Sequence, residues 1–243
     1  MLLNCDLGES YGSWAMGCDA DVMPHIDQAS IACGFHAGDP LTMRRTLALA
    51  AQHGVAVGAH PAYPDLVGFG RRSMAMGGDE LTAALHYQIG ALDGMAQGMG
   101  LSLSYVKPHG ALYHDMMGRA DVRDTILAAV ASYPRPLALM LQATAQAAAH
   151  RSHADSFGVP VLFEAFADRA YGDDGNLLPR SQPGAVLDRA AMLAQVAQLQ
   201  RERCVTTSGG NRLALQFDTL CVHGDNPEGV AAIAAVRALL AGG

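Results

Sequence analysis

Ala29-Ser30-Ile31-Ala32-Cys33-Gly34-Phe35-His36-Ala37-Gly38-Asp39-Pro40 reads as a strand, a glycine-framed loop and the start of a helix. Ala29 to Cys33 is a short apolar run of strand length. Asp39 offers a side-chain acceptor at an N-cap, and Pro40 brings a φ already set for the first helical position. Leu41 to Gln52 continues as an apolar-rich helix, and Gly54 suits a left-handed C-terminal cap. Val55 to Ala59 then opens another strand, so this stretch spells out one βαβ unit.

The same alternation extends in both directions. Strands are expected at Leu2 to Cys5, Leu103 to Val106, Leu137 to Leu141, Val161 to Phe166 and Thr219 to Val222, making seven with the two above. Asp79, Asp121 and Asp188 are expected to start helices, and Asn226-Pro227 one that runs to about Leu240. Short apolar strands alternating with longer helices predict an α/β fold of the parallel-barrel type. The expectation is a single barrel domain over 1–243 with a long polar loop inserted around 167–187. Cys204 to Thr207 and Arg212 to Phe217 add a hairpin or an eighth strand, so seven and eight strands both stay open.

Composition narrows the function. The formal charge is −7, and no basic block exists to neutralise a phosphate backbone, which argues against nucleic acid. No apolar run approaches the roughly 18 residues of a membrane helix, and Asn4, Asp6 and Glu9 interrupt any leader-like start. Five cysteines without a CxxC pair read as buried, reduced thiols of a cytoplasmic protein. Lys107 is the single lysine among 16 basic residues.

Polar residues gather just beyond the strands, where the loops of a parallel barrel converge on one pocket. They are Asp6 and Glu9 after the first strand, His36 and Asp39 after the second, and His60 after the third. Lys107 and His109 follow the fourth, Glu164 with Asp168 and Arg169 mark the sixth, and His223 and Asp225 follow the last; Arg180 lies in the long loop. Each has an ordinary explanation alone: Asp39 as a cap, His60 as a packed histidine, Lys107 as a partner of Glu164 or Asp6. The joint placement of His36, His60, His109 and His223 beside glycine or proline favours a site. Imidazoles with carboxylates either shuttle protons or ligate a divalent metal, with Asp6, His36 and His60 the candidate ligands. His25, His53, His86, His114, His150 and His153 are read as ordinary.

These motifs, taken in order, resemble a known family. Asn4-Cys5-Asp6-Leu7-Gly8-Glu9, Ile31 to Pro40, Gly58-Ala59-His60-Pro61 and Gly68-Phe69-Gly70-Arg71-Arg72 are followed by Val106-Lys107-Pro108-His109-Gly110. Glu164 to Arg169, Pro179-Arg180-Ser181 and Cys221-Val222-His223-Gly224-Asp225 complete the set. The chain is similar, end to end, to the A subunits of prokaryotic ATP-dependent 5-oxoprolinases, the lactam utilisation family. Ser30 and Cys18 depart from its usual pattern.

The resemblance implies a barrel related to the seven-stranded glycoside hydrolase/deacetylase fold. It also implies ring opening of 5-oxo-L-proline to L-glutamate coupled to ATP hydrolysis, with subunits B and C as partners. The chain lacks both GxxxxGK[ST] and GxGxxG, so ATP as co-substrate is expected to be handled partly or wholly by those partners. Asp6, Glu9, His60, Lys107, His109 and Glu164 are the catalytic candidates. His36, Asp39, Arg169, Arg180, His223 and Asp225 are the substrate-binding ones. A metal-dependent amidohydrolase or sugar deacetylase, and a non-catalytic subunit that presents substrate, are the competing readings; self-association into a homo-oligomer stays open.

Overall fold

The computed structural model describes residues 1–224 and 227–242. Its strands are β1 (Leu2–Leu7), β2 (Gln28–Ala32), β3 (Ala56–His60), β4 (Leu103–Val106), β5 (Ala138–Gln142), β6 (Val161–Phe166), β7 (Cys204–Thr206), β8 (Arg212–Ala214) and β9 (Thr219–His223). The helices are α1 (Asp19–Val22), α2 (Pro40–His53), α3 (Gly78–Gln97), α4 (Gly110–Gly118), α5 (Ala120–Ala131), α6 (Ala147–Asp155), α7 (Arg189–Glu202) and α8 (Pro227–Ala241). Strands β1 to β6 and β9 close into a barrel in that order. Every neighbouring pair is parallel, β1 lying between β2 and β9. The remaining question of number is thereby settled at seven, because β7 and β8 form a separate antiparallel hairpin.

Alternation along each strand divides the barrel into two environments. On β1, Leu3, Cys5 and Leu7 belong to the apolar core, as do Ile31 of β2 and Val57 of β3. Leu47 of α2 and Leu85, Ile89 and Leu92 of α3 are fully buried in that core. Each such aliphatic side chain contributes about 1.5–3 kcal/mol by leaving water. Asn4 and Asp6 occupy the opposite face of β1, and the barrel interior is correspondingly polar.

Local chemistry sets the helix ends. Asp39 accepts from the amides of Leu41 and Thr42 at the start of α2, and Gly54 closes that helix at φ 67. Asp188 caps α7 by accepting from Ala191 N. Asp79 and Asp121 differ from expectation: Gly77 and Arg119 hold the N-cap positions, and the two carboxylates lie in the first turn, where they complement the helix dipole. Asn226 lies outside the described residues. Four cysteines are buried and Cys18 is exposed, with no disulfide among them; Cys18 precedes a one-turn helix on the surface, away from any strand. None of the described helices is long and apolar enough to cross a membrane.

The segment between β6 and α7 folds back on itself through bridges Arg169 to Val186 and Tyr171 to Leu177. Gln195 of α7 anchors its start, donating to the carbonyls of Phe166, Ala167 and Arg169.

Candidate functional site

Lys107 follows β4, and its side chain is buried in the barrel interior. Its ammonium lies 2.9 Å from Asp6 Oδ1 on β1 and 2.9 Å from Glu164 Oε2 on β6. It also donates to Asn4 Oδ1 at 3.3 Å and approaches Cys221 Sγ of β9 at 3.3 Å. Groups on β1, β6 and β9 meet a side chain from the end of β4 only across the interior. Burial works against the ammonium, but Asp6 and Glu164 outweigh it and hold its pKa well above the ordinary value. Asp6 is likewise buried; His60, Lys107 and His223 overcome that burial and hold it below the usual carboxylate range. Tyr113 donates to Glu164 Oε1 at 2.8 Å, completing this inner network.

A histidine cluster sits beside it. His60 Nδ1 donates to the Lys107 carbonyl at 2.6 Å, and His109 Nε2 donates to the Phe69 carbonyl at 2.9 Å. These bonds aim His60 Nε2 and His109 Nδ1 at each other, 2.9 Å apart. His36 stacks face to face on His109, with centroids 3.7 Å apart and planes within 4°, and its Nε2 lies 3.2 Å from Glu9 Oε1. Glu9 Oε1 is also 3.4 Å from His109 Nδ1. Burial pushes the pKa of His60 down to about 4, and those of His36 and His109 well below normal.

The loop carrying Phe69 builds this cluster. Phe69 adopts φ 54, a left-handed conformation that non-glycine residues seldom take. That turn points its carbonyl at His109 and sets its ring edge-on to both His36 and His109. Gly70, at φ +62, approaches them so closely that a Cβ there would lie 2.9 Å from both His36 Cβ and His109 Cδ2.

Above these groups opens a cavity of about 340 Å³. Asp6, Glu9, His60, Lys107, His109, Arg169, Arg180 and His223 line it. His223 Nδ1 lies 2.9 Å from Asp168 Oδ1, a fully buried carboxylate, and its ring stacks on Phe166. A carboxylate accepts here, so Nδ1 of His223 is the ring nitrogen that donates to Asp168. Arg169 is positioned by bonds to the carbonyls of Ala185 and Leu178.

Three sequence candidates do not line the cavity. Glu164 lies behind Lys107, and His36 behind His109, so neither reaches the cavity wall. Asp39 is a helix cap that also accepts from Gly12 N, an arrangement that directs both its oxygens to backbone and Thr42. Asp225 lies outside the described residues. Of the expected ligand trio, His36 and His60 group with Glu9 and His109, and Asp6 groups with Cys221 and His223, while Asp6 Oδ2 also lies 3.5 Å from His60 Nε2. Either set of donors is of a kind that can hold a divalent metal.

Arg71, Tyr113, His114 and Phe166 line the cavity as well, and none was singled out from sequence. His114, classed with the ordinary histidines, sits in α4 one residue past Tyr113. Asp168, expected with Glu164 and Arg169 at the end of the sixth strand, continues the two-residue period of β6 through Glu164 and Phe166 beyond the strand's end.

The profile of the LamB/YcsF family matches residues 1–242. The chain belongs to the LamB/YcsF family. Among LamB/YcsF relatives, a Pseudomonas putida protein named as the second of that organism's 5-oxoprolinase A subunits is 57% identical over 243 residues, covering 100% of this chain and 94% of that one. The 5-oxoprolinase A subunit of Vibrio cholerae is 53% identical over 239 residues, covering 98% and 96%. The crystal structure of the lactam utilization protein from Thermus thermophilus superposes with a TM-score of 0.90 at 40% identity, over 100% of this chain and 96% of that one. The LamB/YcsF assignment thus agrees with the seven-stranded barrel.

Proposed function

We propose that this chain is the A subunit of an ATP-dependent 5-oxoprolinase. In this reading it is a hydrolase component that opens the lactam ring of 5-oxo-L-proline to L-glutamate together with subunits B and C. The observation that carries the reading is the makeup of the cavity: arginines and a carboxylate-tethered histidine share one pocket with the buried Asp6–Lys107 pair. Relatives named as 5-oxoprolinase A subunits over their full length support it.

Arg180 and the N–H groups of Arg169 not held by Ala185 and Leu178 are assigned to the substrate carboxylate, to which a guanidinium donates. Lys107 is not given that task, since Asp6 and Glu164 already neutralise it; it positions Asp6 instead. His223, oriented by Asp168, is assigned the proton transfer that water attack on an activated amide requires. His60 is less suited, because its Nε2 faces His109. Tyr113 and Glu164 hold the inner network in place. ATP handling is assigned to the partners, as the chain has no GxxxxGK[ST] or GxGxxG loop. We take 1–243 as one barrel domain whose 167–187 insertion forms a cavity wall, acting in the cytoplasm where ATP is supplied.

The test is oxoproline-dependent release of phosphate and glutamate by this chain alone and with subunits B and C. Turnover only in the complete mixture is expected. Full-rate cleavage by this chain alone with ATP refutes the division of labour, and a complete but inactive mixture refutes the substrate assignment.

A further inference from the structure

The histidine cluster holds a contradiction in proton placement between His60 and His109 that the hydrogen bonds of these two rings among the described residues do not resolve. A backbone carbonyl only accepts, so His60 carries its proton on Nδ1 toward the Lys107 carbonyl, and His109 carries its own on Nε2 toward the Phe69 carbonyl. The two remaining nitrogens, His60 Nε2 and His109 Nδ1, therefore present lone pairs to each other across 2.9 Å. Glu9 Oε1, 3.4 Å from His109 Nδ1, adds a third electron-rich atom on the same side. The two facing lone pairs, with Glu9 Oε1 on one side and Asp6 Oδ2 3.5 Å from His60 Nε2 on the other, call for an electrophile between the rings. A single proton serves the two nitrogens, whereas a divalent ion also takes a carboxylate oxygen.

We propose that Glu9 Oε1, His60 Nε2 and His109 Nδ1 bind one divalent transition-metal ion at the floor of the cavity. Metal-to-nitrogen bonds of about 2.0–2.1 Å set neighbouring donors ~3.0–3.4 Å apart, close to the 2.9 Å and 3.4 Å that separate His109 Nδ1 from His60 Nε2 and Glu9 Oε1. Two imidazoles and a carboxylate favour zinc, cobalt or their first-row neighbours over calcium or magnesium. Both histidines already have the outer partner that metal-binding imidazoles nearly always show, a carbonyl accepting from the other ring nitrogen. All three residues line the cavity, which leaves coordination positions open to water or a substrate oxygen.

His36 lies close enough to be a fourth ligand, yet two observations give it a supporting part. Its ring is parallel to that of His109 at 3.7 Å, so an ion in the plane of one ring is out of the plane of the other. Its Nδ1 has no hydrogen-bond partner among the described residues, so the proton belongs on Nε2, where it donates to Glu9 Oε1 at 3.2 Å. His36 thus orients the carboxylate and has no lone pair aimed at the ion. An ion at this place does not require the lactam to be the substrate.

The full chain, stripped with a chelator, is titrated with cobalt(II) and followed by visible absorbance and calorimetry, then by displacement with zinc. One equivalent binding at micromolar concentration or tighter, with a d–d band, is the expected result. His60→Ala and His109→Ala lose the band, Glu9→Gln weakens binding by at least ~10-fold, and His36→Phe keeps the band with affinity reduced ~10-fold, as for loss of an outer partner. Far-UV circular dichroism confirms folding of each variant. A wild-type chain that takes up neither ion at micromolar concentration overturns the proposal and leaves a shared proton between the rings. Loss of the band in folded His36→Phe overturns the ligand assignment. Because no oxoproline enters the measurement, the result is separate from that of the turnover assay.

Discussion

Removing the one lysine tests the electrostatics of the barrel interior. Lys107 is 3% exposed and touches Asp6 and Glu164, each at 2.9 Å. Lys107→Met keeps the aliphatic volume and removes the charge, leaving two buried carboxylates that share one neighbourhood. Breaking a buried ion pair by deleting one partner costs about 3–5 kcal/mol, and for a chain of this length that lowers the melting temperature by roughly 6–20 °C. The penalty has a definite pH dependence. Without the ammonium, one carboxylate takes up a proton in the folded state and its pKa rises above the unfolded value. The folded state then binds more protons than the unfolded one, so the variant loses stability as pH rises above the unfolded carboxylate range and is least impaired in mild acid. Lys107→Met/Glu164→Gln removes one of the stranded charges and recovers about 1–3 kcal/mol at pH 8. Urea unfolding of the full chain at about pH 5 and pH 8, followed by circular dichroism, gives both numbers. A Lys107→Met stability within about 1 kcal/mol of wild type at pH 8, or a penalty that grows toward acid, refutes the reasoning.

Other expectations concern the cap, the loop and the proton carrier. The Thr42 hydroxyl and Gly12 N–H hold the Asp39 carboxyl down to about 2, so its contribution is complete above the ordinary carboxylate range and is lost as pH falls from about 4 toward 2. Asp39→Ala lowers stability at pH 7 by about 1 kcal/mol, while Asp39→Ser retains most of the cap and flattens that acid limb; denaturation curves across the range measure both. Gly70→Ala drives a methyl group against the stacked His36 and His109 and is expected to destabilise the chain by about 1–3 kcal/mol, read by thermal unfolding, with Gly90→Ala, in open space inside α3, as a comparison that costs nothing. In the complex with subunits B and C, His223→Ala lowers kcat by ~100-fold or more, and Asp168→Asn by a similar factor with KM little changed; equal loss in KM alone would make the pair a binding device.

Much of the barrel is legible in the residues because its signals are local. The β2–α2–β3 unit is bounded by Asp39, Pro40 and Gly54, each of which acts on its immediate neighbours. Glu9, His60, Lys107 and His109 could be anticipated as partners because strand ends in a parallel barrel converge by topology. What stayed hidden depends on distant segments meeting. The Asp168–His223 pairing requires β6 beside β9, and that adjacency follows only once residues 204–214 are known to leave the barrel as a hairpin. Phe69 gives no outward sign of its left-handed turn, yet that turn selects the proton position of His109. That Glu9 joins the histidine cluster while Asp6 also meets Lys107 is a matter of three-dimensional distance that spacing along the chain does not encode.

The pairing of β1 with β9 has a consequence for biogenesis. The first barrel strand emerges from the ribosome long before Thr219 to His223, the segment that must register against it. Until then β1 and β6 each present an unsatisfied edge, a template for pairing with other chains. Any nascent or truncated product ending before Thr219 is therefore an open ribbon prone to self-association, and the cavity acquires its last wall only when that seam is zipped.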